Sequence, residues 1–186
     1  MERKFTALLG LFAVLVWIAI PLFAQDPAGS FSYVKGEVLI KADKGQDWKA
    51  AKAGTPFFPL DQIRTGEEGK AELMFKNGNI IWISSMSNMV IQNMESNKVD
   101  KTEKTKVKLM FGRVTNSVEK MFDEKSKFEV ETDSAVAAVK GTKFFMDYSG
   151  EQDNTEVGVF EGSVLVDNKK GEQQVVEEGC FESREG

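Results

Sequence analysis

Residues 70–83 read "KAELMFKNGNIIWI", and this stretch predicts a β-hairpin. Two apolar runs flank Asn77 and Gly78, and an Asn-Gly pair can adopt the positive φ angles of a two-residue type I′ turn. The pairs that this turn predicts are Phe75 with Ile80 and Leu73 with Trp82 on one face, and Met74 with Ile81 on the other. Apolar residues on both faces predict strands that are covered on two sides.

Further strand-like segments lie on either side of this hairpin. They are rich in β-branched and aromatic residues, and turn-forming runs such as "SGEQDN" (149–154) separate them. The segments are 31–40, 107–118, 127–132, 142–148, 155–166 and 172–179. The run "SAVAAVK" (134–140) contains good helix formers but makes only about two turns, so we expect strand or turn there as well. The sequence therefore predicts an all-β domain.

A glycine between two apolar runs recurs along the chain. It occurs in "YVKGEVLI" (33–40), "MFKNGNIIWI" (74–83), "MFGRVTNSV" (110–118) and "VFEGSVLV" (159–166). The spacing is too irregular for a strict solenoid repeat. We interpret the pattern as similar strand-turn-strand units that stack on one another.

Composition excludes several classes of function. The chain has 186 residues and a net charge of −5, with no His and one Cys. Without His there is no Ser-His-Asp or Cys-His catalysis, and the commonest zinc and copper ligand is missing. The single Cys180 excludes an intrachain disulfide and a CxxC pair. The acidic balance argues against a nucleic-acid partner, and we expect neither a cofactor nor a metal site.

The N-terminus predicts export. Arg3 and Lys4 precede the uncharged run "FTALLGLFAVLVWIAIPLFA" (5–24), which is typical of a secretory signal. We expect residues 1–24 to be a signal peptide that is cleaved after Ala24, and residues 25–186 to form one domain in the periplasm or cell envelope. The alternative is an uncleaved anchor, since about 20 apolar residues can span a bilayer. That anchor would then be the one contact with the membrane.

The stretch "VKGTKF" (139–144), with Gly-Thr between two lysines, locally resembles a phosphate-binding loop. A P-loop needs G-x-x-x-x-G-K-[ST] followed by a helix, whereas Gly141 has no upstream glycine and precedes a β-prone run. We therefore expect Gly141 to permit a tight backbone bend, with Thr142 starting the next strand.

The same region carries a family resemblance. "FEVETDSAVAAVKGTKFFMDY" (128–148) closely resembles the signature of the FecR domain family, in which an Ala/Val-rich segment and an Arg- or Lys-Gly-Thr connect two strands. Four other segments resemble further motifs of the family: 53–75, 76–91, 109–118 and 155–166. All five occur in the family's order. The resemblance covers residues 33 to 179. The positions that align with the family's motifs, which we take as a structural signature, are Leu60, Asp61, Ile63, Thr65, Asn77, Gly78, Gly112, Lys140, Gly141, Thr142 and Gly162.

Three positions depart from the family's pattern. Leu60 stands where the family has Gly, Asp133 where it has Pro, and Lys140 replaces the usual Arg. The first two changes affect turn geometry, and the third replaces a forked guanidinium by a point charge. Regulatory members of the family carry a cytoplasmic anti-sigma segment before their membrane helix. Only Met1 to Lys4 precede the apolar run here, so we expect no direct control of a sigma factor.

The resemblance implies an all-β fold of short stacked strands, either solenoid-like or an irregular sandwich. It also implies a non-catalytic module that binds a protein or another envelope component, in sensing or signalling. Two alternatives remain open, a structural envelope or surface protein and a carbohydrate-active hydrolase. The hydrolase would need paired carboxylates, for which Glu67-Glu68, Asp123-Glu124 and Glu177-Glu178 are candidates, although we expect solvated turns. The mixed-charge run 95–106 predicts a hairpin tip, a mobile loop or a contact surface.

Overall fold

The computed structural model describes residues 26–97, 99, 102–121, 123 and 125–185. The predicted signal peptide, residues 1–24, lies outside the described residues. In the described part the chain forms strands and turns, and none of its segments is a helix long and apolar enough to cross a membrane. The strands are β1 (Gly29–Lys35), β2 (Val38–Lys41), β3 (Lys49–Ala50), β4 (Pro56–Phe57), β5 (Gln62–Thr65), β6 (Lys70–Phe75), β7 (Ile80–Ile83), β8 (Asn88–Asn97), β9 (Thr102–Ser117), β10 (Lys127–Glu131), β11 (Val136–Val139), β12 (Lys143–Ser149), β13 (Asn154–Glu161), β14 (Ser163–Asp167), β15 (Gln173–Glu177) and β16 (Phe181–Glu185).

These strands form two sheets that share one long strand. The front sheet has the order β4-β1-β6-β7-β9-β12-β13-β16, and the back sheet has the order β3-β2-β5-β8-β9-β10-β11-β14-β15. Residues 102–111 of β9 pair in the back sheet, and residues 112–117 pair in the front sheet. Neighbouring strands are antiparallel, except that β9 and β10 run parallel. The predicted all-β class is confirmed, in the form of an irregular, open β-sandwich.

One apolar core lies between the two sheets. The largest fully buried side chains include Phe31, Phe75 and Phe144 from the front sheet and Phe128 and Ile63 from the back sheet. Each such side chain contributes roughly 1.5–3 kcal/mol when it leaves water. Cys180 is free and exposed, so packing rather than a disulfide holds the described domain together.

The chain passes between the sheets along two creases at opposite ends of the sandwich. In the first crease β1 continues into β2, β5 into β6, β7 into β8, and β9 changes sheets. In the second crease β11 continues into β12, β13 into β14, and β15 into β16. The glycines with positive φ at these crossings are Gly36 and Gly112 in the first crease, and Gly141, Gly162 and Gly179 in the second.

The creases correct the interpretation of the recurring glycine. Gly36, Gly112 and Gly162 do not join adjacent strands of one sheet, as a stack of strand-turn-strand units would require. They bend the chain from one sheet to the other. Of the four glycines in the recurring pattern, only Gly78 lies in a hairpin, between the paired strands β6 and β7. The local pattern, a glycine between two apolar runs, is the same in a hairpin and in a crossing, because each needs a residue that tolerates a left-handed backbone.

The predicted two-residue turn at Asn77-Gly78 is wrong by one residue. Phe75 N–H donates to the carbonyl oxygen of Asn79 at 2.9 Å, so that three residues form the loop, and Gly78 has a φ of +87°. Leu73 therefore lies opposite Ile81, and Met74 opposite Ile80. This register buries Leu73 and Ile81 together, whereas a slip by one residue would turn one strand inside out.

The expectation that these strands are covered on two sides is also wrong. Met74 points away from the core and is 46% exposed, and Trp82 on the neighbouring strand is only half-buried. The apolar character of this outer face therefore calls for an explanation other than the core.

The other predicted strands form largely where expected. The segment 134–140 contains strand β11, and the run 95–106 lies at the tip of the long hairpin of β8 and β9. Five strands were not among the predicted segments: β3 and β4 are two residues long, β5 and β8 lie between the predicted segments, and β16 has one apolar residue in a charged run.

Candidate functional site

Two signature residues hold the first crease together. The Thr65 hydroxyl donates to the carbonyl oxygen of Ser84 at 2.6 Å and accepts from Ser87 N–H at 2.9 Å. The Ser87 hydroxyl in turn accepts from Arg113 N–H at 3.0 Å. A Cβ at Gly112 would lie 2.3 Å from Ser87 Oγ, so the crossing strand can approach only as glycine. Ser87 is the member of this group that the sequence pattern missed.

The turn before β5 keeps a glycine-like backbone without glycine. Leu60, where the resembling family has Gly, has a φ of +73°, and its N–H donates to the Ile91 carbonyl at 2.6 Å. Asp61 Oδ2 accepts from Phe58 N–H at 2.8 Å and caps the turn. Ile63, two residues on, is completely buried in the core. This part of the signature is therefore a packing and turn device.

The second crease contains the Lys-Gly-Thr element. Gly141 has a φ of +86°, and a Cβ there would lie 2.8 Å from Lys120 Cα. The buried Thr142 donates its hydroxyl to the Ser163 carbonyl at 2.9 Å, which ties this crossing to the one at Gly162. Strand β12 begins at Lys143, one residue later than expected. Lys140 Nζ donates to the carbonyl oxygen of Asp123 at 3.1 Å.

The hairpin of β10 and β11 closes without the family's proline. Thr132 N–H donates to the Ala135 carbonyl, and the Thr132 hydroxyl lies 2.6 Å from the hydroxyl of Thr155 on the front sheet. Asp133 forms an ion pair with Lys108 at 2.7 Å. Burial raises the pKa of the nearby Tyr148 to about 12, and its hydrogen bond to Asp153 acts in the same direction. The buried hydroxyls thus join the two sheets at this end.

Of the signature residues, Thr65 and Gly112 lie in the first crease, whereas Lys140, Gly141, Thr142 and Gly162 lie in the second and line a groove there. Asn77 lies in the β6–β7 loop, where its Oδ1 accepts from Asn79 N–H at 3.3 Å. Among the described signature residues, no two side chains face each other as a pair of catalytic groups would. Exposed apolar side chains that the core does not explain lie elsewhere, on the outer face of the front sheet.

An aromatic row crosses that outer face. Strand register places seven residues side by side on neighbouring strands: Tyr33, Glu72, Trp82, Thr115, Phe145, Gly158 and Phe181. Every second strand therefore contributes an aromatic residue. Since neighbouring strands lie about 4.8 Å apart, the row extends over roughly 29 Å.

Three phenylalanines form a cluster at one end of the row. The ring of Phe145 lies 5.8 Å from that of Phe160 and 5.9 Å from that of Phe181. Gly158 makes this approach possible, because a Cβ there would lie 2.2 Å from the Phe145 ring. Phe160 is 51% exposed and Phe181 is 73% exposed. We call Phe145, Phe160 and Phe181 the aromatic cluster.

Polar neighbours hold the rings of the row in place. The Arg113 guanidinium lies 4.8 Å from the centre of the Phe145 ring, and its Nε contacts Asp147 Oδ2 at 2.7 Å. Trp82 Nε1 donates to Glu72, whose other carboxylate oxygen accepts from the Ser32 hydroxyl at 2.6 Å. The rings are thus oriented before any partner arrives, which lowers the entropy cost of binding.

A local signal for this surface exists in the sequence. Successive residues of a strand point to opposite faces, so the pair Phe144-Phe145 must place one ring outside the core. Phe144 is fully buried, and Phe145 lies on the outer face. The contribution of Phe181 could not be found in this way, because it depends on the pairing of β16 with β13.

The carboxylates do not assemble into a hydrolytic pair around Asp61. Burial raises the pKa of Asp61, as a catalytic acid would require, but its side chain is 4% exposed and bonded to the backbone. Asp123 accepts from the N–H groups of Lys125 and Ser126 and forms a turn, and Glu67 and Glu68 lie in an exposed turn. Glu124 lies outside the described residues. Among those described, no three His, Cys, Asp or Glu side chains are grouped to hold a metal ion.

Comparison with solved structures finds proteins of the same fold. Two crystal structures from Parabacteroides distasonis, both described as a proposed anti-sigma factor, share the fold with TM-scores of 0.56 and 0.55. Each is 19% identical to the chain; the first covers 67% of it and the second 66%. The matched part spans about half of those structures, 54% and 53%. No curated protein matches the sequence.

The family match covers the centre of the sandwich. Residues 61–165 match the FecR protein family, from the capped turn at Asp61 through both creases to β14. This range is more than half of the chain and includes most of the positions that the sequence motifs single out. The chain therefore belongs to the FecR protein family.

Proposed function

We propose that this protein is an exported, non-catalytic module that binds a protein of the cell envelope through the aromatic row. The single observation that carries the proposal is the exposed aromatic cluster over Gly158, with Phe181 73% and Phe160 51% exposed. Aromatic residues are enriched in the centres of protein interfaces, where a few of them supply most of the binding energy. Covering one phenylalanine ring contributes roughly 1.5–3 kcal/mol.

Shape favours a protein partner for this surface. The rings of the cluster are tilted by 48° and 44° relative to one another, so they form a faceted apolar surface rather than a flat platform. Side chains of a partner can fill the spaces between such rings. The ion pair of Arg113 with Asp147 provides a polar border beside the cluster.

Envelope location and signalling complete the proposal. The predicted signal peptide, with cleavage after Ala24, supports export, and membership of the FecR family supports a place in the envelope. The Parabacteroides proteins that share the fold are described as proposed anti-sigma factors, which supports a part in envelope signalling. Intact-mass measurement of the protein from the envelope tests the cleavage, and a mass that includes Met1 would instead indicate an anchor.

Site-specific photo-cross-linking tests the binding surface. A benzophenone amino acid replaces Phe181 in one variant and Val99, 90% exposed at the β8–β9 tip, in the control. We expect irradiated cells to yield one envelope protein linked to position 181 and not to position 99. In a second pair the cross-linker replaces Phe160, with and without Phe181→Ser, and the serine variant should lose the product at an unchanged melting temperature. Equal cross-linking from positions 181 and 99 would contradict the proposal.

A further inference from the structure

The outer face of the back sheet carries an unusual basic row. Lys104 of β9 lies directly opposite Lys127 of β10 in the parallel pair. Extending the β10–β11 register by one residue places Lys127 opposite Lys140, although the net charge of the chain is −5. Like charges at paired positions destabilise a sheet, so this arrangement has a cost that stability alone does not explain.

In the described part of the chain, carboxylates form close ion pairs with the neighbouring Lys106 and Lys108 but not with Lys104 or Lys127. Lys106 lies 2.6 Å from Glu131, and Lys108 lies 2.7 Å from Asp133. Lys104 reaches Glu95 only at 3.9 Å. Neither Lys125 nor Lys127 forms an ion pair with a residue that the structure describes.

A groove collects these lysines. It has a volume of about 850 Å³, and among the described residues four lysines and two glutamates line it, an excess of two positive charges. The charged residues that line it are Lys104, Lys106, Lys125, Lys127, Glu95 and Glu129. Asn93, Asn97 and Thr102 add polar groups to the same walls. The groove therefore favours an anionic ligand with hydrogen-bonding groups.

An apolar strip adjoins the basic row on the same face. Register places Ala138, Leu165 and Val175 side by side on β11, β14 and β15. Leu165 is 40% exposed and Val175 is 54% exposed. A second groove of about 460 Å³ has Leu165 and Val175 on one side and Lys127 on the other. The second crease, at Gly141 and Gly162, forms its end.

We propose that these two grooves form one binding site for an extended acidic segment of a partner protein. Its carboxylates pair with Lys104, Lys125 and Lys127, and its aliphatic side chains cover Leu165 and Val175. Charge complementarity supports this occupant, because basic residues concentrate here in an acidic protein. This site lies on the opposite sheet from the aromatic row, so it serves a contact beyond the proposed function.

An anionic membrane fits the same face less well. Glu129, Glu131 and Asp167 lie on the back sheet's outer face beside the lysines. A flat anionic surface would meet these carboxylates at the same time as the lysines, whereas a single extended segment can follow the groove between them. The positive excess is confined to the groove and does not cover the whole face.

A defined peptide tests the proposal. The probe is a fluorescein-labelled peptide with consecutive Glu residues in one half, to reach the lysines, and Leu and Val in the other half, to reach the apolar strip; its counterpart carries Lys in place of each Glu. We expect saturable binding of the acidic peptide to the purified protein, measured by fluorescence anisotropy, and weaker binding as salt screens the charges. The Lys104→Glu/Lys127→Glu variant should weaken binding by more than about tenfold, because like charges then face each other across the interface.

Matched variants and a second ligand decide between the outcomes. Lys35→Glu/Lys49→Glu makes the same charge change at exposed positions outside both grooves and should leave binding unchanged. Val175→Ser should weaken binding without reversing any charge. Failure of the acidic peptide to bind, or equal loss in the two double variants, would overturn the proposal. Tighter binding to phosphatidylglycerol vesicles than to the peptide would assign the surface to a membrane instead. A failed cross-link from Phe181 leaves this site unaffected.

Discussion

The two creases of the sandwich perform the same geometric task with different tightness. In the first, Thr65 and Ser87 fill the space beside Gly112, and a Cβ at that glycine would meet Ser87 Oγ at 2.3 Å and the Met86 carbonyl at 2.6 Å. In the second, Gly162 has its nearest contact at 3.2 Å, and Gly179 has none within 4 Å. The first crease is closed by packing, whereas the second is tight at Gly141 but open at Gly162 and Gly179, and it borders a groove.

The difference separates a structural end of the molecule from an end that can accept a ligand. A buried hydroxyl pair such as Thr65 and Ser87 leaves no room for a partner. Around Gly162 the backbone is exposed, and Gly141, Lys127 and Leu165 line the same groove. Substitutions in the two creases should therefore differ in cost, and the differences can be ordered.

Gly112→Val should have the largest effect on stability. Valine would have to adopt a φ near +89° and to displace both Ser87 and the backbone of Met86. We expect the free energy of unfolding to fall by about 3 kcal/mol or more, measured by urea denaturation. Gly179→Val is the matched control, since it has a φ of +78° in open space and should cost about 1–2 kcal/mol. Equal losses at the two positions would show that the first crease is no tighter than the second.

Gly141→Val should have an intermediate effect. Its Cβ would lie 2.8 Å from the backbone of Lys120 at a φ of +86°, so both strain and a contact with main chain oppose the substitution. We expect a loss of about 2–3 kcal/mol in the same urea experiment. Lys143→Ala, on the exposed side of the same bend, should change stability by no more than about 0.5 kcal/mol. A neutral Gly141→Val variant would contradict the strained bend.

Replacing a crease threonine should also cost more stability in the first crease than in the second. Thr65→Val removes a donor to Ser84 and an acceptor for the buried Ser87 N–H, which should cost about 1–3 kcal/mol. Thr142→Val removes one hydrogen bond, to the Ser163 carbonyl, and should cost about 1 kcal/mol. Thermal and urea melts of the two variants measure the difference. A larger loss for Thr142→Val would reverse the assignment of the closed crease.

Acid should weaken the seam between the parallel strands β9 and β10 by the smallest amount. The hydrogen bond from Lys108 lowers the pKa of Asp133. Burial alone would raise the pKa of Glu131, but hydrogen bonds from Lys106 and Lys169 outweigh it and the pKa is lowered. Carboxyls with a lowered folded pKa stabilise the fold above their unfolded pKa, about 3.9 for Asp and 4.3 for Glu, and this contribution is lost as the pH falls through the folded pKa.

The effect should be small because these groups are partly exposed. Each such pair contributes about 0.2–1 kcal/mol. Urea melts between about pH 7 and pH 3 should show a shallower acid slope for the Glu131→Gln/Asp133→Asn variant than for the unmodified protein. The control is Glu67→Gln/Glu68→Gln in the exposed turn, which should keep the original slope. An unchanged slope in the Glu131→Gln/Asp133→Asn variant would show that these two carboxyls do not contribute to the loss of stability in acid.

Local patterns determined a large part of the fold. Alternation of apolar residues predicted most strands, and glycine after an apolar run located the bends at Gly36, Gly112, Gly141 and Gly162. Both signals depend on neighbours in the chain, since side-chain direction alternates along a strand and only glycine readily adopts a left-handed backbone. The all-β class followed from them, and the FecR resemblance rested on short motifs in the same segments.

Tertiary structure decided which strands pair and in which register. Local sequence could not distinguish a hairpin at Gly78 from a crossing at Gly112, because both positions have the same backbone requirement. It also placed the hairpin turn one residue away, since the burial of Ile81 against the core selects the register.

The candidate surfaces were decided by tertiary structure as well. The aromatic row needs Tyr33, Trp82 and Phe181 on strands from distant parts of the chain, and the basic row needs the parallel pairing of Lys104 with Lys127. The sequence by itself determined that this chain folds as a β-rich FecR protein, because those signals are local. Only the packing of two sheets decided which aromatic and basic side chains share an outer face, because that depends on strand pairs far apart in the chain.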